Sequence, residues 1–325
     1  MINAKLHRKW QLPVRWFALG LLLVIALFGA SPSGLAAEGD EAEPEYSRDG
    51  ADACLRCHDE DSDFPVLSIL KTPHAVAADS RTPFAQKSCE SCHGPGADHA
   101  KRVRFGQERP PIPAFGKNAM WSEEKQNGIC LDCHQRDQQM HWQGGTHQRS
   151  EVACADCHKV HVTEDPVTVA KEEARVCYDC HRNIQSEAHQ MSSHPMKFGE
   201  IACSDCHEPH GSLNEAMLKE MTSNDTCYGC HAEKRGPFLW EHAPVADDCT
   251  SCHQPHGSNQ PALLTQRPPL LCQQCHSRAG HPSIAQTPDG LPAGNSSGFL
   301  LGGSCLNCHS QVHGSNHPSG ANLSR

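Results

Sequence analysis

The twenty cysteines of this 325-residue chain fall into ten pairs, and every pair reads Cys-x-x-Cys-His. The pairs are Cys54 and Cys57, Cys89 and Cys92, Cys130 and Cys133, Cys154 and Cys157, Cys177 and Cys180, Cys203 and Cys206, Cys227 and Cys230, Cys249 and Cys252, Cys272 and Cys275, and Cys305 and Cys308. The histidines that close them are His58, His93, His134, His158, His181, His207, His231, His253, His276 and His309. No cysteine is left over. Any fold open to this chain must present two thiols and an imidazole on one turn of backbone, ten times.

That arrangement is the attachment signature of c-type haem. Two thiols three residues apart reach the two vinyl groups of one porphyrin, and the next side chain folds beneath the ring toward the iron. A disulfide framework would suit an exported, cysteine-rich chain, but it gives no reason for a histidine after each second cysteine. Structural zinc also uses Cys-x-x-Cys, yet it does not require that fifth residue ten times. The expectation is ten covalent haem c groups, held by the twenty cysteines, with the motif histidines as proximal ligands.

The remaining histidines repeat with the motifs and divide the chain into five two-haem modules, about 54–99, 130–161, 177–210, 227–256 and 272–313. Each module carries two further histidines: His74 and His99, His147 and His161, His194 and His210, His242 and His256, His281 and His313. Ten distal candidates thus stand against ten irons, although the spacings of His99 and His281 depart from the rest. His141, His189 and His317 fall outside the pattern and are expected at the surface or a haem edge, and His7 sits in the leader. Met140, Met191 and Met196 are possible axial ligands, but the histidines suffice. His161, His210 and His256 follow a motif histidine by three residues, a reach of at most about 10 Å. That is too short to round a porphyrin, so each should ligate a neighbouring haem. Both axial positions would then be filled by protein, which suits electron transfer and leaves no open iron for catalysis; the chain reads as a non-enzyme.

Composition agrees. Only 5% of residues are aromatic, too few to build the interior a chain of this length normally buries, so porphyrins must supply much of it. Mostly irregular coil is expected, with short α-helices at the motifs and over 167–178 and 213–221, and little or no sheet. Modules that touch mainly their sequence neighbours stack into an elongated array. Two longer insertions interrupt the repeat. Residues 100–128 carry Lys101, Arg102, Arg104 and Arg109 beside Pro110, Pro111 and Pro113, and suit haem propionates, an acidic partner or plain solvation; residues 277–304 are rich in Gly, Ser and Pro. At the N-terminus, Lys5, Arg8, Lys9 and Arg15 precede an apolar run from Trp16 to Ala30 and small residues to Ala37, the layout of a secretory signal over 1–37. An acidic segment, 38–52, leads into the decahaem region, 53–325. Without the leader, 24 basic residues face 38 acidic ones, a net charge of −14, which disfavours nucleic acid.

The ten-motif layout resembles the DmsE/MtrA family of periplasmic decahaem cytochromes. The resemblance is most specific at Glu-Lys-Arg-Gly-Pro-Phe-Leu-Trp-Glu-His-Ala-Pro-Val (233–245) and Ser-Cys-Leu-Asn-Cys-His-Ser-Gln-Val-His-Gly-Ser-Asn-His-Pro-Ser-Gly (304–320). It implies bis-histidine ligation throughout and a near-linear haem chain. It also implies docking into an outer-membrane β-barrel porin-like protein, an inner-membrane or periplasmic cytochrome as donor, and an extracellular multihaem cytochrome beyond. A freely diffusing periplasmic multihaem carrier or terminal reductase is the alternative.

Overall fold

A computed structural model of the protein describes residues 43–62, 66–276 and 305–325. The leader, the 277–304 insertion and His281 lie outside the described residues. The chain divides into Met1–Glu43, of which only Glu43 is described, and a second unit, Pro44–Arg325. All ten motifs lie in the second unit.

Helices are short and tied to the motifs. The first motif of each module lies at the C-terminal end of a helix: α1 (Ala51–Leu55), α2 (Glu123–Leu131), α3 (Ala170–Tyr178), α4 (Ser223–Tyr228) and α5 (Leu270–Gln273). Start signals are clear at two of them. The Ser122 hydroxyl accepts the Lys125 N–H ahead of α2, and the Thr222 hydroxyl accepts that of Asp225 ahead of α4, each satisfying an amide that the helix leaves unpaired. Acidic residues in the first turns of α2 and α3 suit the positive end of the helix dipole. The second motif of each module makes only a turn of its own, as at Glu90–His93, Cys154–Cys157, Cys203–Asp205, Cys249–Ser251 and Cys305–Asn307. Among the described residues no strand forms, and the only ladder-like contacts are four isolated bridges. No helix there is long and apolar enough to cross a membrane.

Helix over 167–178 is observed, as a 3-10 turn at Pro166–Thr168 running into α3. The expected helix over 213–221 is not: it narrows to a single 3-10 turn at Glu215–Met217. Ala216 and Met217 take positive φ, 51° and 55°, which ends helical propagation and folds the segment back as a strap. There the Glu208 N–H donates to the Met217 carbonyl. The same strap recurs one module later, with Ala262 and Leu263 at φ 55° and 57° and the Gln254 N–H on the Leu263 carbonyl. Neither pair is glycine, so the left-handed turns are strained and must be held by what the straps contact.

Side-chain packing is thin. Eight apolar residues are buried among those described, five of them alanine. The one apolar cluster gathers Ala174, Tyr178, Ala188 and Met196, with Ile184, Ile201 and Cys203 around it. Burial of that size stabilises by only a few kcal/mol at about 25 cal/mol per Å², far below the entropy of ordering the chain.

Candidate haem-binding sites

Each motif is built by one local bond. In all ten, the histidine N–H donates to the first cysteine's carbonyl at 2.8–3.0 Å, closing a single helical turn. That turn sets both thiols and the imidazole on one side of the chain.

Among the described residues, a second imidazole stands opposite nine motif histidines. The pairs are His58 with His99, His134 with His74, His93 with His161, His181 with His147, His158 with His210, His231 with His194, His207 with His256, His276 with His242 and His253 with His313. Their ring centroids stand 6.0–6.4 Å apart. The spacing stays constant while the interplanar angle varies from 8° to 71°, so ring–ring contact alone does not set it. An imidazole nitrogen bonds a first-row metal at about 2.0 Å and lies about 1.1 Å from its ring centre, so two rings sharing one metal stand about 6.2 Å apart. The residues therefore fit an iron between each pair. His281 lies outside the described residues.

The pairs cross the module boundaries in a regular way. The first free histidine of a module faces the first motif of the next: His74 faces His134, His147 faces His181, His194 faces His231 and His242 faces His276. The second free histidine faces the second motif of the module before: His161 faces His93, His210 faces His158, His256 faces His207 and His313 faces His253. In the first of the five modules, His99 turns instead to His58 of its own module.

Backbone oxygens orient the rings. The Nδ1 atoms of His93, His99, His147, His161, His194, His207, His242, His253 and His309 each lie 2.7–3.2 Å from a carbonyl oxygen. A carbonyl only accepts, so Nδ1 carries the proton and Nε2 keeps its lone pair for a metal. Burial pushes His74, His93, His210, His256 and His313 below the ordinary imidazole value, which holds them unprotonated. The acceptors explain the loops. The strained straps present the Ala216 and Ala262 carbonyls to His207 and His253, and the proline-rich insertion presents those of Pro113 and Pro110 to His93 and His99. Arg109 of that insertion donates to the His99 and Lys101 carbonyls, bracing its own loop.

Cysteines from successive motifs also meet. Within each module the two first cysteines lie close together: Cys54 and Cys89, Cys130 and Cys154, Cys177 and Cys203, Cys227 and Cys249, and Cys272 and Cys305. Between modules it is the second cysteine whose thiol is influenced from the next motif. Burial and then Cys130 and Cys133 push Cys92 up to about 11. Cys157 is likewise raised by burial and Asp156, then by Cys180; Cys206 by burial and Asp205, then by Cys230; and Cys252 by burial, then by Cys275.

Buried polar side chains, which sequence reasoning missed, brace these junctions. Asn127 of α2 accepts the Cys154 N–H and donates to the Val152 carbonyl. Asn224 of α4 accepts the Cys249 N–H and donates to the Val245 and Ala246 carbonyls. Glu173 of α3 accepts the Ser204 N–H and hydroxyl, one on each oxygen. Their signal in sequence was a polar residue three or four places before a module's first cysteine. The Glu173 carboxylate and the Cys177 and Cys203 sulfurs lie within 4.8 Å of one another, a ligand-like set, but thioether linkage would engage both sulfurs. The residues outside the pattern face no paired ring: His141, His189 and His317 are exposed, as are Met140 and Met191, and Met196 lies in the apolar cluster.

The comparisons with known proteins agree with this chemistry. The doubled CXXCH motif matches residues 194–236 and 242–281, and the model of the cytochrome c-type protein NrfB-like family matches 89–180. The cytochrome c-type proteins NrfB of Escherichia coli O6:H1 and Haemophilus influenzae are each 29% identical over half of this chain and 82% of their own length. The multiheme cytochrome MtrA of Shewanella baltica (strain OS185) is 48% identical over 287 residues, 87% of this chain and 84% of its own. With identity sustained over that length, and with haem c attachment in its motifs, the chain belongs to the MtrA family of multihaem c-type electron-transfer cytochromes.

Proposed function

We propose that the protein carries ten haem c groups, each between two histidines, and serves as the inner wire of an outer-membrane porin–cytochrome conduit for extracellular electron transfer. The nine imidazole pairs are taken as axial ligands. By mirror symmetry with the His58–His99 end, His309 and His281 form the tenth. Haem c supplies a one-electron Fe(III)/Fe(II) couple, and bis-histidine ligation sets it at comparatively low potential, lacking the methionine ligand that raises it. The polypeptide supplies spacing and orientation. It fills both axial positions, which excludes small substrates from the metal and makes the protein a carrier, not an enzyme.

The observation that carries the conduit reading is the set of imidazole pairs that cross every module boundary, two at each, from His74–His134 and His93–His161 to His242–His276 and His253–His313. A wire needs every junction closed, whereas a single-site reductase needs only one exposed haem. The leader over 1–37 supports export to the periplasm. A coil-rich chain cannot satisfy its backbone in lipid, whereas a β-barrel can, so crossing the outer membrane requires a barrel partner. An inner-membrane or periplasmic cytochrome would supply electrons, and an extracellular multihaem cytochrome would receive them.

The test is reconstitution. The protein with its barrel, in liposomes, should reduce an acceptor sealed inside, and either component alone should not. Failure to co-purify with any outer-membrane barrel would favour the freely diffusing carrier.

A further inference from the structure

One imidazole pair differs from the rest in what its outer nitrogens meet. His158 Nδ1 lies 2.6 Å from Oδ2 of Asp165, whose other oxygen accepts the Lys159 N–H at 3.1 Å. In modules three to five the same position is filled by a backbone carbonyl, from Ala216, Ala262 or Asn322. Across the site, His210 Nδ1 lies 3.4 Å from Oε1 of Glu208. The two are buried, out of line for a good hydrogen bond, and neither has another partner. No lysine or arginine ion-pairs with either carboxylate among the described residues, and the Lys159 ammonium is turned to the Ala155 carbonyl.

We propose that Asp165 and Glu208 make the haem on Cys154 and Cys157 the low-potential point of the chain. The inference rests on reading His158 and His210 as its axial ligands. A carboxylate facing Nδ1–H draws on that proton and strengthens the Nε2 donor. Its charge, largely withheld from water, also favours Fe(III) over Fe(II). Reduction at this site takes one electron from a neighbouring haem, converts Fe(III) to Fe(II) and needs no proton. Among the described residues no other pair is so placed. His256 faces Glu187 at 3.4 Å, but its partner His207 donates to a carbonyl. Glu233 stands 3.8 Å from His231 with 61% of its side chain exposed, where solvent and salt screen it. Because the site is fourth of ten, the chain divides into two electron pools with one uphill step between them.

The experiment is a spectropotentiometric titration of the holoprotein, resolved into one-electron components, with low-temperature electron paramagnetic resonance alongside. Asp165→Asn together with Glu208→Gln keeps size and one accepting oxygen at each position but removes both charges. The lowest component should then bind its electron about tenfold more tightly, roughly 59 mV upward for a one-electron couple. One low-spin resonance should change its g values. A lowest component that does not move overturns the proposal. So does an equal shift from Glu233→Gln, which would make the effect one of general charge. His210→Ala separates the two readings: one high-spin haem supports the ligand assignment, and none means that assignment has failed.

Discussion

A glycine follows each of His210, His256 and His313, and close approach explains it. A Cβ on Gly257 would collide with the Glu187 carbonyl, and one on Gly211 with that of His141. The backbone of one module is pressed against the chain of the module before, which carries the adjacent histidine across the boundary. His256 thereby stands 6.0 Å from His207, while Pro255, one residue earlier, offers its carbonyl to His194 Nδ1 at 2.7 Å. One short stretch thus serves two histidines of the preceding module. His256→Ala is expected to open one iron, on the haem of Cys203 and Cys206. That iron should become high-spin and bind carbon monoxide, about one haem in ten. His189, whose Nδ1 meets the Gln185 carbonyl within its own helix, should be replaceable by Ala with no change in spin state. Carbon monoxide binding in the His189 variant would show that the pairing scheme is wrong there.

At the level of elements, a helix end is pinned to the next motif by one amide side chain. Asn127 and Asn224 are each buried, with 4% and 6% of their surface exposed, and both use donor and acceptor. Removing such a group strands a buried N–H and a buried carbonyl, at about 1–3 kcal/mol. Asn127→Ala should therefore lower stability by that amount, read in denaturant unfolding of the holoprotein, with haem content unchanged. A loss under about 0.5 kcal/mol would place the junction's strength in the porphyrins rather than the brace. These side chains were hard to read in sequence. A polar residue in a helix is usually solvated, and what buries Asn127 is a segment 25 residues further on.

For the molecule as a whole, the interior cannot come from side chains. Among the described residues, eight buried apolar side chains, five of them alanine, do not offset an ordering entropy of about 1–2 kcal/mol for every residue. The polypeptide produced without haem attachment should lack cooperative unfolding and give the far-ultraviolet circular dichroism of a disordered chain. A cooperative thermal transition in that apoprotein would show that the backbone braces suffice alone.

The sequence by itself determined the cofactor chemistry and the absence of sheet. Attachment is local: two thiols and an imidazole within five residues are specified by one helical turn, whatever surrounds it. The helix over 167–178 was legible for the same reason, whereas 213–221 was not. Its residues favour helix, but Ala216 is turned into the left-handed region to offer its carbonyl to His207, a contact that no local propensity encodes. Three-residue spacing showed that His161, His210 and His256 must look beyond their own motifs. Which imidazole each one faces was decided by the tertiary structure, because every described pair except His58–His99 joins different modules. Tertiary structure alone also set the carboxylates of Asp165 and Glu208 about a single pair, since a charge acts on a metal site through distance and burial, not through its place in the chain.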